Sequence, residues 1–158
     1  MSIFPTKILL ATDGSREAAL AAHTAARIAD ETGSELHLVY VLPRSVPFHP
    51  GDYVGPEVAE HWLQREQEVQ EREAQLLLDT QVEEIETAGS SLAQTHLQVG
   101  KPDEEIVALG EEEGAGLIVV GSRGRGGIRR ALMGSVSDSV LRHAHCPVLV
   151  VRKEKPMQ

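Results

Sequence analysis

Residues Gly121 to Ser135 read Gly-Ser-Arg-Gly-Arg-Gly-Gly-Ile-Arg-Arg-Ala-Leu-Met-Gly-Ser. This glycine- and arginine-rich stretch follows the apolar run Leu117–Val120 and precedes a predicted helix, Ser135–Ala144. A strand, a glycine loop and a helix start in that order suit an anion such as phosphate. Glycines allow the backbone to approach an anion closely and to take up positive φ, and the amides of a helix start point outward at the positive end of its dipole. Arg123, Arg125, Arg129 and Arg130 add fixed positive charge. A second chemically loaded turn stands near the start of the chain, where the apolar run Lys7–Asp13 ends in an acid and meets Gly14-Ser15.

The segments that must position these turns alternate regularly. Lys7–Asp13 reads as a buried parallel strand, and Ser15 caps an alanine-rich helix that runs to about Thr32 and stops at Gly33. Glu35–Leu42 is a second strand. Residues 43–56 hold Pro43, Pro47, Pro50 and Pro56 and read as a loop. Glu57–Ala88 contains neither glycine nor proline, and Val58, Trp62, Val69, Leu76, Val82 and Ile85 recur at helical steps, which predicts one long amphipathic helix ended by Gly89. Leu92–Val99 makes a third strand, and Pro102 with the acids after it opens a short helix to about Glu113. Leu117–Val120 and Val148–Val151 supply strands four and five. Strict alternation predicts an open, five-stranded parallel sheet with helices on both faces, in a single domain covering residues 1–158.

With these elements in view, the chain resembles the ATP-binding branch of the universal stress protein family. That signature is Gly, two residues, Gly, nine residues, Gly and then Ser or Thr, and Gly121, Gly124, Gly134 and Ser135 fill it. The resemblance also covers Lys-Ile-Leu-Leu-Ala-Thr-Asp-Gly-Ser near the start, Gly100-Lys101-Pro102, and the run from Gly134-Ser135-Val136-Ser137-Asp138 to His145-Cys146-Pro147-Val148-Leu149-Val150-Val151. It implies an adenine-nucleotide α-hydrolase-like fold with strand order 3-2-1-4-5. Strands one and four are then neighbours at the switch point where open α/β sheets bind ligands. It further implies that Gly121, Ser122, Arg123, Gly124, Arg125, Gly126 and Gly127 wrap the ribose and phosphates of ATP held with Mg²⁺. Ser135, Val136 and Ser137 would give hydroxyls and amides to phosphate oxygens, Asp13 and Ala11 would face ribose and adenine, and the Val41 main chain would meet the adenine edge.

Other chemistries lack their residues. There is no Gly-Lys-Ser/Thr for a Walker loop and no Gly-x-Gly-x-x-Gly after strand one for a dinucleotide fingerprint. Ser15, Ser135 and Ser137 stand in no Gly-x-Ser-x-Gly elbow, so no catalytic triad is expected. His143, His145 and Cys146 are too close in sequence to converge as a closed metal site, and no metal ligands are assigned. Asp13 doubles as a helix-cap residue, while Trp62 and Leu76–Leu78 read as core or interface rather than as part of a cofactor pocket.

Charge narrows the ligand. The net charge of −9 opposes binding to nucleic acid, whose affinity rests on cations placed against phosphates. From Glu57 to Glu113 there are sixteen acids and three bases, whereas from Gly121 onward eight bases face two acids, a distribution that suits a small anion. No apolar run approaches the roughly 20 residues of a membrane span. The opening residues lack a secretory signal pattern, and the single Cys146 fits a reducing cytoplasm. The expectation is a cytoplasmic, dimeric sensor or regulatory module with little ATP hydrolysis and an unidentified downstream protein partner. The dimer would form through Val148–Val151, an edge strand of apolar residues. Two alternatives stay open: an enzyme that hydrolyses or transfers nucleotides in the same crevice, and an interaction module whose pocket is nucleotide-free or holds cAMP.

Overall fold

The computed structural model describes residues 7–44, 55–123 and 133–153. Nine elements alternate along the chain: β1 (Lys7–Thr12), α1 (Arg16–Thr32), β2 (Glu35–Pro43), α2 (Pro56–Thr87), β3 (Gln94–Gly100), α3 (Pro102–Glu113), β4 (Leu117–Gly121), α4 (Ser135–His143) and β5 (Val148–Val151). All strand pairs are parallel, and the sheet order is β3-β2-β1-β4-β5, as the resemblance implies. The chain winds from β1 outward to β3, returns past β1, and winds the other way through β4 and β5. Right-handed crossovers therefore place α1 and α2 on one face and α3 and α4 on the other.

Alternation along the strands divides the core in two. Ile8, Leu10, Leu36, Leu38, Leu117 and Val119 pack beneath α1 and α2, whereas Leu9, Val39, Val41, Ile118 and Val120 pack beneath α3 and α4. α1 buries six alanines (Ala18, Ala21, Ala22, Ala25, Ala26 and Ala29), and these small side chains let its axis lie close to the sheet. Ser15 caps it, with Oγ accepting from the Ala18 amide at 3.1 Å, and Gly33 ends it at φ 68°.

The long helix departs from expectation in how its apolar residues are used. Val82 and Ile85 join the core, but Val58, Trp62, Val69 and Leu76 are between 46% and 61% exposed. For Val58, Trp62 and Val69 the reason is length: at roughly 1.5 Å per residue the 32 residues of α2 extend about 48 Å, much farther than strands of four to nine residues can cover. Leu76 instead lies between the buried Ala74 and Leu78, off the face that these turn to the core. No helix is long and apolar enough to cross a membrane among the described residues.

Candidate functional site

The site is built where two neighbouring strands part. β1 pairs with β4 only from Ile8↔Leu117 to Leu10↔Val119. Beyond that point β1 stays with β2 through Thr12↔Tyr40, and β4 stays with β5 through Gly121↔Val151. A crevice therefore opens at the C-terminal edge of the sheet, between the turn after β1 and the chain leaving β4.

The β1 side is made rigid by short hydrogen bonds. Asp13 Oδ1 accepts from the Ser15 amide at 2.9 Å, and Gly14 takes φ 77°, a conformation costly for residues with a Cβ. The buried Thr12 hydroxyl donates to Gln81 Oε1 at 3.0 Å and accepts from the Gly14 amide at 3.3 Å, which anchors α2 to the turn. Asp13 does not cap α1, a role that Ser15 fills; it fixes the turn through the Ser15 amide, and its partly buried carboxylate stands at the crevice.

On the β4 side, Gly121 has a packing role that its motif does not reveal. A Cβ there would lie 2.9 Å from the Glu17 carbonyl carbon and 3.0 Å from Glu17 O, so only glycine lets the first turn of α1 rest on the end of β4. The Ser122 amide donates to Val151 O at 2.8 Å, and the Ser15 hydroxyl donates to Arg123 O at 3.4 Å, joining the two turns across the crevice.

The residues that flank the loop are tied together. The Gly134 amide donates to Ser122 O at 2.6 Å, and the Ser137 hydroxyl lies 3.0 Å from Ser122 O and 3.1 Å from Gly134 O. Ser122 and Ser137 are buried, with their groups engaged in this clamp, whereas Ser135 and Val136 are exposed at the first turn of α4. Gly124, Arg125, Gly126 and Gly127, with Arg129 and Arg130, lie outside the described residues. Gly134 is the N-cap of α4 and the Asp138 amide returns to its carbonyl at 3.0 Å, so the amides of Ser135, Val136 and Ser137 are those a helix leaves without intrahelical partners. Ser139 Oγ donates to Asp103 Oδ2 at 2.7 Å, fixing α4 to α3 and holding the Asp103 carboxyl below its ordinary range.

Two expected contacts sit deeper. Val41 is 6% exposed and its side chain packs under α3, while Ala11 is partly buried against the same core, so neither side chain faces the crevice. A cavity of about 470 Å³ adjoins the crevice through Gly14 but extends along α2, lined by Tyr40, Leu42, Glu73, Leu77 and Glu84 among others. Its charged lining residues are acidic, so it is the wrong wall for phosphate despite its size. Burial pushes the Cys146 thiol up, away from nucleophilic chemistry.

This arrangement can receive an anion: the first amides of α4 lie on one side of a parted sheet and a fixed turn on the other. Comparison with known proteins identifies the family. The model of the universal stress protein family matches residues 5–152. A universal stress protein of Methanocaldococcus jannaschii is 38% identical over 149 residues, covering 94% of this chain and 83% of the relative. The solved universal stress protein UspA of Lactobacillus plantarum superposes with a TM-score of 0.78 at 26% identity, covering 93% of this chain and 97% of that one. A universal stress protein of Archaeoglobus fulgidus, solved in complex with dAMP, gives a TM-score of 0.63 at 25% identity and covers 94% of this chain and 98% of its own. With the strand order and the parted strands, these likenesses establish that the chain belongs to the universal stress protein family.

Proposed function

We propose that this protein binds ATP with Mg²⁺ in the crevice between Asp13 and α4, and acts as a cytoplasmic, dimeric sensor or regulatory module. The observation that carries the reading is the parting of β1 from β4 beside the Gly134–Ser122 hydrogen bond, which brings the end of β4 against the start of α4. The dAMP complex of the Archaeoglobus relative supports an adenine nucleotide as ligand. Phosphates would meet Gly124–Gly127 and the Ser135 and Val136 amides, the arginines would neutralise them, and Asp13 would face the ribose. The main chain of Ala11 and Val41 would border the adenine. Ser137 would hold the loop in shape instead of touching phosphate.

Binding without rapid turnover follows from the same inventory. Hydrolysis needs an oriented water as well as charge neutralisation, and the Asp13 carboxylate is already engaged in accepting from the Ser15 amide. The dimer would form by antiparallel pairing of β5 with its copy. The carbonyls of Pro147 and Val151 face β4, so by strand alternation the Val150 amide faces outward. Val150→Pro should therefore leave the sheet intact and yield a monomer in sedimentation.

Calorimetric titration with ATP and Mg²⁺ tests the pocket. Gly124→Val, placing a β-branched side chain at the phosphate backbone, should abolish measurable binding while circular dichroism stays native. Ser135→Ala should weaken binding by about 0.5–1.5 kcal/mol. Unchanged affinity in folded Gly124→Val would remove the loop from the site. Parallel titrations with dAMP and cAMP establish which nucleotide the crevice prefers.

A further inference from the structure

At the opposite, N-terminal edge of the sheet, the side chains of His37 on β2, His96 on β3 and Glu113 at the end of α3 converge. Their ligand atoms all lie within 4.8 Å of one another. The geometry points to a site for a divalent transition-metal ion of the zinc class, held by these three residues and separate from the nucleotide crevice. His96 stands opposite Val39 in the parallel register, and His37 lies two residues before Val39 on the same face, beneath α3. Their rings stack with centroids 5.5 Å apart, and His37 Nδ1 is 3.2 Å from His96 Nε2. Four ligands at zinc distances of about 2.0–2.1 Å stand about 3.3–3.4 Å from each other, so the two nitrogens already have ligand spacing. The Glu113 carboxylate is 3.9 Å from His37 Nδ1 and needs only a small side-chain rotation to complete the third position.

Two further features distinguish this cluster from two histidines that happen to pack together. His37 is 3% exposed, and its other nitrogen, Nε2, donates to Glu35 Oε2 at 3.4 Å. That bond assigns the proton to Nε2 and turns the Nδ1 lone pair toward His96 and Glu113, the carboxylate–histidine arrangement typical of metal ligands. His96 is buried as well, so both imidazoles are held facing each other within the packed end of the sheet. In the metal-free protein a single proton lies between His37 Nδ1 and His96 Nε2. Metal entry moves that proton to His96 Nδ1, leaving both facing nitrogens as donors to the ion. Glu113 is partly exposed, which gives an entry path and a position for water as fourth ligand. Lys7 opposes the ion. Its ammonium donates to Glu113 O at 2.9 Å and lies 3.6 Å from Glu113 Oε2, so it competes for the same carboxylate.

Zn²⁺ titration of the full chain, stripped beforehand with chelator, should show one bound ion, and Co²⁺ should give the visible absorption of a four-coordinate site. Glu113→Gln and His96→Asn should each reduce Zn²⁺ affinity by tenfold or more. Glu35→Gln should reduce it by about 10–100-fold without touching the ion, and Lys7→Met should increase it. Circular dichroism and unaltered ATP titration in Glu113→Gln confirm that the fold and the crevice are intact. A variant changing His143, His145 and Cys146 together should bind as the parent does. Absence of stoichiometric uptake by the parent, or full affinity in folded Glu113→Gln and His96→Asn, would overturn the assignment. So would loss of binding in the His143/His145/Cys146 variant.

Discussion

The two ends of this one sheet are furnished with opposite chemistry. At the C-terminal edge the groups described are main-chain ones, comprising the first amides of α4, the Gly134–Ser122 hydrogen bond and a turn fixed by Asp13. At the N-terminal edge they are side chains, two imidazoles and a carboxylate on three different elements. A parallel sheet accounts for the difference. Its helices begin at the C-terminal edge, so unpaired amides and positive dipole ends collect there, whereas helices end at the other edge, where negative dipole ends favour cations. One end is predisposed to anions and the other to positively charged partners, before any particular side chain is chosen.

Substitutions should therefore act by different routes at the two ends. The largest effect is expected for Gly121→Val, where the new Cβ meets the Glu17 backbone at 2.9 Å and α1 must shift as a body. Overpacking of this kind costs about 1–3 kcal/mol, visible as a lower urea midpoint. Equal stability of Gly121→Val and the parent would show that α1 yields easily and that the edge is less rigid than its contacts suggest. A smaller loss, about 0.5–1.5 kcal/mol, should follow Ser137→Ala, which removes the hydroxyl from the loop clamp but leaves the Gly134–Ser122 bond. If Ser137→Ala abolishes ATP binding while retaining stability, its hydroxyl belongs to the ligand and not to the loop.

At the N-terminal edge the smallest effect is one of pH. His96 is held below its ordinary pKa chiefly by desolvation and further by His37 and Lys7, against the opposing pull of Glu113 and Glu112. The unfolded chain takes up a proton near pH 6.5, the folded one only at lower pH, so acid favours unfolding. His96's share of stability is complete above about pH 6.5 and is lost as the pH falls through its folded pKa. Urea denaturation in chelator-containing buffer should show a weaker decline below pH 6.5 in His96→Gln than in the parent. Parallel curves would mean that His96 is solvated and the cluster looser than its distances imply.

Much of the crevice can be read from contiguous residues. The stretch Gly121–Ser135 carries its own glycines, charges and helix start, and Lys7–Ser15 carries the strand, the acid and the cap. Reading them requires only local φ preferences, hydrophobic period and capping. The long helix marks where this reasoning stops, because periodicity identified its apolar residues but could not show that Val58, Trp62, Val69 and Leu76 stay exposed.

The sequence by itself determined the alternation of strands and helices, their caps and the phosphate-suited loop, because each depends on neighbouring residues interacting through a few bonds. Tertiary structure alone decided that Gly121 is required by the approach of Glu17, a residue of a different element, and that Ser137 turns inward to clamp the loop. It likewise decided that His37 and His96, 59 residues apart, face each other. Those contacts depend on the register of β2 against β3 and on where α3 ends above them, and a shift of one residue in that register would send His96 to the other face of the sheet.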